Sequence, residues 1–271
     1  MKKVMLSFDV EEFDLPREYG AEISLEEGIK VSAEGLEKIL VLCEKKGIKA
    51  TFFVTGNFAK ARPDLVKRII REGHEVGCHG VDHFEPKVTD ILGSKEIMEK
   101  VTGAKVVGYR QPRMFKIDYK ELKRCGYLYD SSINPAWIPG RYNHLDVPRK
   151  PFKKDGVVEI PVSVANFLRV PLFWLALHVM PLKTYVKMVK TTLKKTGYFA
   201  TYFHPWEFAN LDVFVVIPGY IRKNSGDKLV GRLEFLIDRL KKSGGEFVTY
   251  AEFMKACYNS KYEKESVAGK N

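Results

Sequence analysis

Four carboxylates fall within six residues at the end of an apolar run. Val4, Met5, Leu6 and Phe8 lead into Asp9, Glu11, Glu12 and Asp14. The run predicts a buried strand, and like charges gathered where water is scarce cost free energy unless a cation or a basic partner offsets them. Strand alternation sends Asp9 and Glu11 to one face, Val10 and Glu12 to the other. A solvated acidic turn is the plain alternative for such a run. Further on, His79-Gly80-Val81-Asp82-His83 sets two imidazoles four residues apart, on one face if the segment is helical. A lone histidine is more often a satisfied, partly buried side chain, but a pair at this spacing is how proteins hold zinc. Two neutral imidazoles and one carboxylate make the three-ligand set of a catalytic metal, with a position left for water or substrate. The carboxylate is expected from the acidic tip and the ion is expected to be zinc, although nickel, cobalt or iron suit the same donors.

These groups need a scaffold that brings distant positions together. Ser24 and Glu27 form a capping box that opens a helix, Ile29, Leu36, Ile39, Leu40 and Cys43 make its inward stripe, and Gly47 ends it. A dense apolar strand over 49–56 and a helix from Pro63 to Gly73 follow, then a strand over 74–80. The same rhythm predicts helices over 94–101, 119–125, 182–195 and 228–242, strands over 105–109, 127–131, 157–162, 198–203 and 246–249, and a short helix near Phe253. Residues 134–151 carry the turn chemistry of a long loop. Strands alternating with helices predict parallel βα units in an α/β barrel, with one domain over 1–257 and a polar, frayed tail over 258–271. Several predicted strands end in a polar residue, Asp9, His79, Arg110, Asp130 and His204. In a closed parallel barrel those ends converge on one face, where barrel enzymes place their chemistry.

The chain has 271 residues, is 45% hydrophobic and carries a formal net charge of +11. That size fits one barrel, and the charge speaks to long-range attraction, not to fold. The basic residues are interleaved with acids and no nucleic-acid signature is present, so nucleic acid is not an expected partner. Cys43, Cys78, Cys125 and Cys257 are far apart and form no CxxC, which indicates neither a disulfide framework nor a thiolate zinc site. Met1-Lys2-Lys3 runs straight into the first strand without the apolar stretch of a signal peptide, so a cytoplasmic location is expected. Within 162–195, the apolar stretch from Val162 to Leu182 is interrupted by Asn166, Arg169, Pro171, His178 and Pro181, too often for a membrane span. Beside the lysine-rich helix that follows, it suits peripheral contact with an anionic membrane surface at the inner face, against the commoner outcome of packing on the barrel.

Five short motifs in order resemble the polysaccharide deacetylases, the NodB-like family also called carbohydrate esterase family four: Ser7-Phe8-Asp9-Val10-Glu11, His79-Gly80-Val81-Asp82-His83, Gly108-Tyr109-Arg110-Gln111-Pro112, Tyr129-Asp130-Ser131-Ser132 and Phe203-His204-Pro205-Trp206-Glu207. The resemblance implies a distorted (β/α)7-type barrel in a single domain and a carbohydrate substrate. It implies Asp9 as catalytic base, Glu11, His79 and His83 as metal ligands, Arg110 as the group holding the base, and His204 as general acid. Glu12 and Asp14 stay open as rival ligands. The acids are separated by Val10, as in an Asp-x-Glu branch of the family; Gly80 stands where a hydroxyl residue is usual, and Arg113 where an aromatic is often found.

The expected reaction is removal of an acetyl group from an N-acetylated sugar, in a polysaccharide or a lipid-linked glycan precursor. Such amide hydrolysis needs an activated water, a polarised carbonyl and a proton for the departing amine. Arg113, Trp206 and Asp130 are expected in the substrate pocket, with a backbone amide near Arg113 facing the developing oxyanion. Trp137, Tyr109 and Tyr142 could stack on sugar rings, and Glu207 is expected to act behind the site or at the surface. Hydrolysis of another non-peptide C–N bond, in a ureide or formamide, is the enzymatic alternative. A catalytically idle glycan-binding or membrane-binding barrel is the alternative from another class.

Overall fold

The first strand, β1 (Lys2–Val10), organises the sheet. It is followed by β2 (Thr51–Val54), β3 (Glu75–Cys78), β4 (Gly108–Tyr109) and β5 (Tyr129–Asp130). A small hairpin, β6 (Trp137–Ile138) and β7 (Tyr142–Asn143), stands apart, and β8 (Phe152–Lys154), β9 (Val157–Glu159), β10 (Tyr198–Phe203) and β11 (Gly245–Phe247) return to the main sheet. This computed structural model describes residues 2–85 and 90–257; the tail expected over 258–271 lies outside them.

Strands β10, β1, β2, β3, β4, β5 and β9 pair side by side in parallel, and β8 adds an antiparallel edge on β9. Along β1, residues 3–8 pair with β10, while residues 2–4 and 7–10 pair with β11 and β2. The overlaps put β10 on one edge and place β11 in line with β2 on the other. The chain beyond β9 curls back to β10. There Ser163 N–H donates to the Ala200 carbonyl at 2.8 Å and the Ala200 N–H donates to Ser163 Oγ at 3.0 Å. The result is the expected mixed α/β domain with a curled, barrel-like sheet.

Alternation along β1 decides what faces what. Val4, Leu6, Phe8 and Val10 enter the layer between sheet and helices, while Met5 packs inside the curl with Phe53, Tyr129, Ile160, Ala200 and Tyr250. Phe8 stacks on Phe52 at 5.1 Å, and burying each such ring contributes about 2–3 kcal/mol. Ser7, Asp9 and Glu11 share the parity of Met5, so the interior face of β1 ends in the acids. The helix Leu25–Lys46 begins at Ser24, whose side chain accepts the Glu27 N–H, and ends at Gly47 in the left-handed conformation. Its Gly35 lies so close to the backbone after β10 that a Cβ there would sit 1.7 Å from the Pro205 oxygen.

Two local expectations are corrected, and a stretch without an assigned element gains one. The segment 134–151 is not all loop, because β6 and β7 pair within it. The apolar stretch after 162 contains a helix, Trp174–Val179, with Ala176, Leu177 and His178 buried. His79 and His83 do not lie on a helix: the chain after Cys78 runs through a loop in which Gly80 adopts φ +70°. A Cβ on Gly80 would meet Pro112 Cγ at 2.9 Å, so the glycine admits both the turn and the neighbouring motif.

Candidate active site

Asp9, Glu11, His79, His83 and His204 all line one cavity of about 240 Å³ at the carboxyl ends of the strands. Glu11 sits at its centre, with Oε2 3.2 Å from His79 Nε2 and 3.0 Å from His83 Nε2. One donor atom from each of the three residues falls within 4.8 Å of the others, and all three residues are buried. The two rings are also near parallel, 5.7 Å apart.

What lies behind each imidazole fixes which nitrogen faces inward. His79 Nδ1 lies 2.9 Å from the Arg110 carbonyl oxygen, which can only accept, so Nδ1 carries the proton and Nε2 keeps its lone pair. His83 Nδ1 lies 3.1 Å from Asp14 Oδ2, the matching carboxylate support. Asp14 is thus an outer partner that also receives the Arg113 guanidinium. Glu12 points elsewhere: it is buried, neither carboxylate oxygen has a hydrogen-bond partner among the described residues, and burial pushes its pKa up to about 7. Burial would raise Glu11 as well, but His83, His204 and His79 hold its carboxyl well below the usual range. His83 is raised despite its burial, because Glu11 and Asp14 favour the charged ring. Two inward lone pairs and an ionised carboxylate at this spacing fit a divalent cation of the zinc class, with room left for a further ligand.

Asp9 is flanked by a fully buried arginine. Arg110 Nη1 donates to Asp9 Oδ1 at 2.6 Å and to Ser7 Oγ at 2.8 Å, while Nε reaches the Ser131 carbonyl at 2.7 Å. Nη2 donates to Ser131 Oγ and to the Tyr250 hydroxyl, and the guanidinium lies 4.2 Å from the Phe53 ring centre. Burial works against the charge of Arg110, yet Asp9 and its other partners hold its pKa above the ordinary value. An arginine so fully engaged fixes the Asp9 carboxylate in one orientation.

On the opposite wall stands His204. Its ring stacks on Trp206 at 4.9 Å and meets Trp174 edge-on, and its Nε2 lies 3.9 Å from Glu11 Oε1. Nδ1 donates to Glu207 Oε1 at 2.8 Å, and the same oxygen accepts the His204 backbone N–H. Glu207 Oε2 lies 2.9 Å from Nε2 of His178, whose Nδ1 has no hydrogen-bond partner among the described residues. Burial would lower His204, but Glu11, Glu207 and Asp9 together push it up to about 9. Glu207 itself is held low, since His178 and His204 outweigh its burial.

Most of the expected pocket residues meet here, but one does not. Trp206 lines the cavity and donates from Nε1 to Glu11 Oε1 at 3.1 Å. Arg113 is at the rim, paired with Glu18 at 2.8 Å. Asp130 is absent from the lining: both its oxygens accept from Ser132, and it is in register with Glu159, whose pKa burial raises well above the ordinary value. It is a buried strand-end carboxylate that supports the 131–133 turn. Tyr142 lines the cavity; Tyr109 is buried against Tyr127, and Trp137 is exposed outside the lining. Sequence reasoning underrated Glu207, although its i+3 spacing from His204 was visible. It missed His178 and Trp174, which lie within an apolar stretch with no local mark.

Residues 2–129 match the family described as polysaccharide deacetylase, and residues 131–225 match one described as a domain of unknown function (DUF3473). A peptidoglycan-N-acetylmuramic acid deacetylase, PdaA of Bacillus subtilis, is 39% identical over 100 residues, which cover 33% of this chain and 38% of that protein. The match therefore spans less than half of the relative. Among solved structures, the Bc1960 peptidoglycan N-acetylglucosamine deacetylase has a TM-score of 0.52 at 20% identity, covering 93% of this chain and 87% of that one. The PuuE allantoinase has a TM-score of 0.64 at 14% identity, covering 94% and 91%. At such identities these likenesses establish the shared fold, which does not choose between the two activities. Residues 2–129, which match the polysaccharide deacetylase family, are the part of the chain that carries Asp9, Glu11, His79, His83 and Arg110.

Proposed function

We propose that the protein is a metal-dependent hydrolase that removes the acetyl group from an N-acetylated sugar of a polysaccharide or peptidoglycan-type glycan. The observation that carries this reading is the placement around one cavity of an arginine-held carboxylate, a three-donor metal set and a glutamate-held imidazole. Glu11, His79 and His83 would hold the divalent ion, zinc by the character of the donors. Bound there, the ion supplies a more acidic water and a more electrophilic carbonyl.

The chain's own groups do the rest. Asp9, oriented by Arg110, takes the proton of the attacking water. His204 enters protonated, and because Nδ1 is committed to Glu207 its Nε2–H faces the cavity and delivers a proton to the departing nitrogen. Arg113 sits at φ 56°, and its N–H donates to no group among the described residues, so it is available to the developing oxyanion. Trp206 and Trp174 enclose the small acyl group and exclude water.

The test is acetate release from N-acetylated glycan oligomers, run beside a panel of ureides, with metal content measured on the purified protein. Asp9→Asn should abolish turnover and keep the metal, whereas His79→Ala should lose both. Acetate release that survives both substitutions overturns the proposal, and turnover confined to ureides moves the protein to the other C–N hydrolase class.

A further inference from the structure

We propose that the lysine face of the helix Leu182–Thr196, together with the Phe167-Leu168 tip beside it, is a docking site for an anionic phospholipid bilayer. The helix buries Tyr185, Val186, Val189 and Leu193 in the core and turns Lys183, Lys187, Lys190, Lys194 and Lys195 outward. These lysines and Lys2 line one shallow groove whose lining contains no carboxylate. None of the five helix lysines is within ion-pair distance of an acid among the described residues. A second groove shares Lys195 and adds Arg149 and Lys150, again with no carboxylate. Such a one-signed surface attracts anionic headgroups and is screened by salt.

Charge alone would suit any polyanion. The hairpin over 163–172 supplies what a bilayer in particular would use. Its two sides are joined by Ala165 N–H to the Val170 carbonyl and Leu172 N–H to the Ser163 carbonyl, with a bridge between Val164 and Pro171. Its tip presents Phe167 and Leu168 at 79% and 78% exposure. Leu168 and Arg169 adopt φ 57° and 47°, a left-handed backbone that non-glycine residues take up at a cost. Arg169 anchors that shape by donating to the Pro135 and Val147 carbonyls, and Arg149 donates to the Asn166 carbonyl. Two adjacent large apolar side chains held out beside a cationic face match headgroup contact with shallow apolar insertion. The helix cannot supply that apolar part itself, since its own apolar face is already spent on the core.

The test is co-sedimentation of the full chain with phosphatidylcholine vesicles and with vesicles containing phosphatidylglycerol, and it is independent of catalytic activity. We expect binding only to the anionic vesicles and loss of it between about 50 mM and about 500 mM salt. Lys187→Glu/Lys190→Glu/Lys194→Glu and, separately, Phe167→Ser/Leu168→Ser should each weaken binding by about tenfold or more. All these positions are exposed, and unchanged circular-dichroism melting confirms the fold of each variant. Absence of binding to anionic vesicles overturns the proposal, as does binding that survives the charge reversal. Binding that needs the lysines but ignores the tip also overturns it, in favour of a soluble polyanion such as an acidic polysaccharide.

Discussion

Glu207→Gln isolates the part of the mechanism that depends on charge. Glu207 is buried, and its Oε1 accepts from both the backbone N–H and Nδ1 of His204. A glutamine must therefore keep its amide oxygen at that position, which leaves its NH2 toward His178. The shape and the His204 tautomer survive, and only the negative charge is removed. Glu207 is one of three carboxylates that lift His204 from 6.5 to about 9, the others being Glu11 and Asp9. Asp9 already faces Arg110, and a cation at Glu11 offsets the second, so Glu207 carries most of the remaining effect. Loss of one such close charge lowers an imidazole by about one to two pH units. On the alkaline side of the titration each unit of that fall cuts the protonated fraction about tenfold. The assay is the pH dependence of kcat/KM for acetate release. We expect the alkaline limb to move down by at least about one unit while the acid limb stays in place. An alkaline limb that does not move, in a variant with unchanged melting temperature and metal content, refutes the assignment of His204 as the acid held charged by Glu207.

Other outcomes follow from the same geometry. Asp14→Asn should weaken metal affinity by about 10- to 100-fold by loosening His83 without removing a ligand, as read by competition with a chelator. Metal uptake should also release protons and weaken toward acid pH, because His83 is raised in the metal-free site. Arg110→Ala leaves the Asp9 carboxylate buried without its cation and should cost about 3–5 kcal/mol in urea unfolding. Gly35→Ala forces the helix Leu25–Lys46 off the Pro205 backbone, so both stability and acetate release should fall by more than the ordinary Gly→Ala gain could restore. In the metal-free protein the raised His204 adds stability that is complete below 6.5 and lost as pH rises through about 9. The lowered Glu207 and Glu11 add stability that is present above 4.5 and lost as pH falls. Glu12, raised to about 7, works the other way and costs stability as pH rises above 4.5, so melting temperatures should decline toward both extremes from a maximum near about pH 5.

Much of this architecture was legible because local signals and barrel geometry agree. The Ser24 N-cap, the glycine stop at Gly47 and the strand tips at Asp9, His79 and His204 stand where alternation and helix chemistry place them. Asp9 and Glu11 converge because the parity of β1 carries through to its end. His79 and His83 also converge, but by a different route. The four-residue spacing suggests a helix, whereas a loop turned at Gly80 brings the rings together. Asp130 was misplaced because a polar strand end does not reveal whether it meets the cavity or a neighbouring strand, and here β9 sets Glu159 against it. His178 left no trace in the chain's pattern. Its role arises only where Trp174–Val179 passes behind Glu207, a contact made across 29 positions.

The pairing of β1 with β10 has a bearing on how this protein can be taken apart. Asp9, Glu11, His79, His83 and Arg110 come from the stretch 2–129, but His204 and Glu207 come from 131–225, and β5 pairs with β9 across the junction. A fragment ending at the junction would strip both outer strands of that stretch of a neighbour and would lack the proposed proton donor. Neither stretch can be lent to another protein as a working module: domain-shuffling or split-gene designs that cut there would separate the proposed base from the proposed acid of a single cavity.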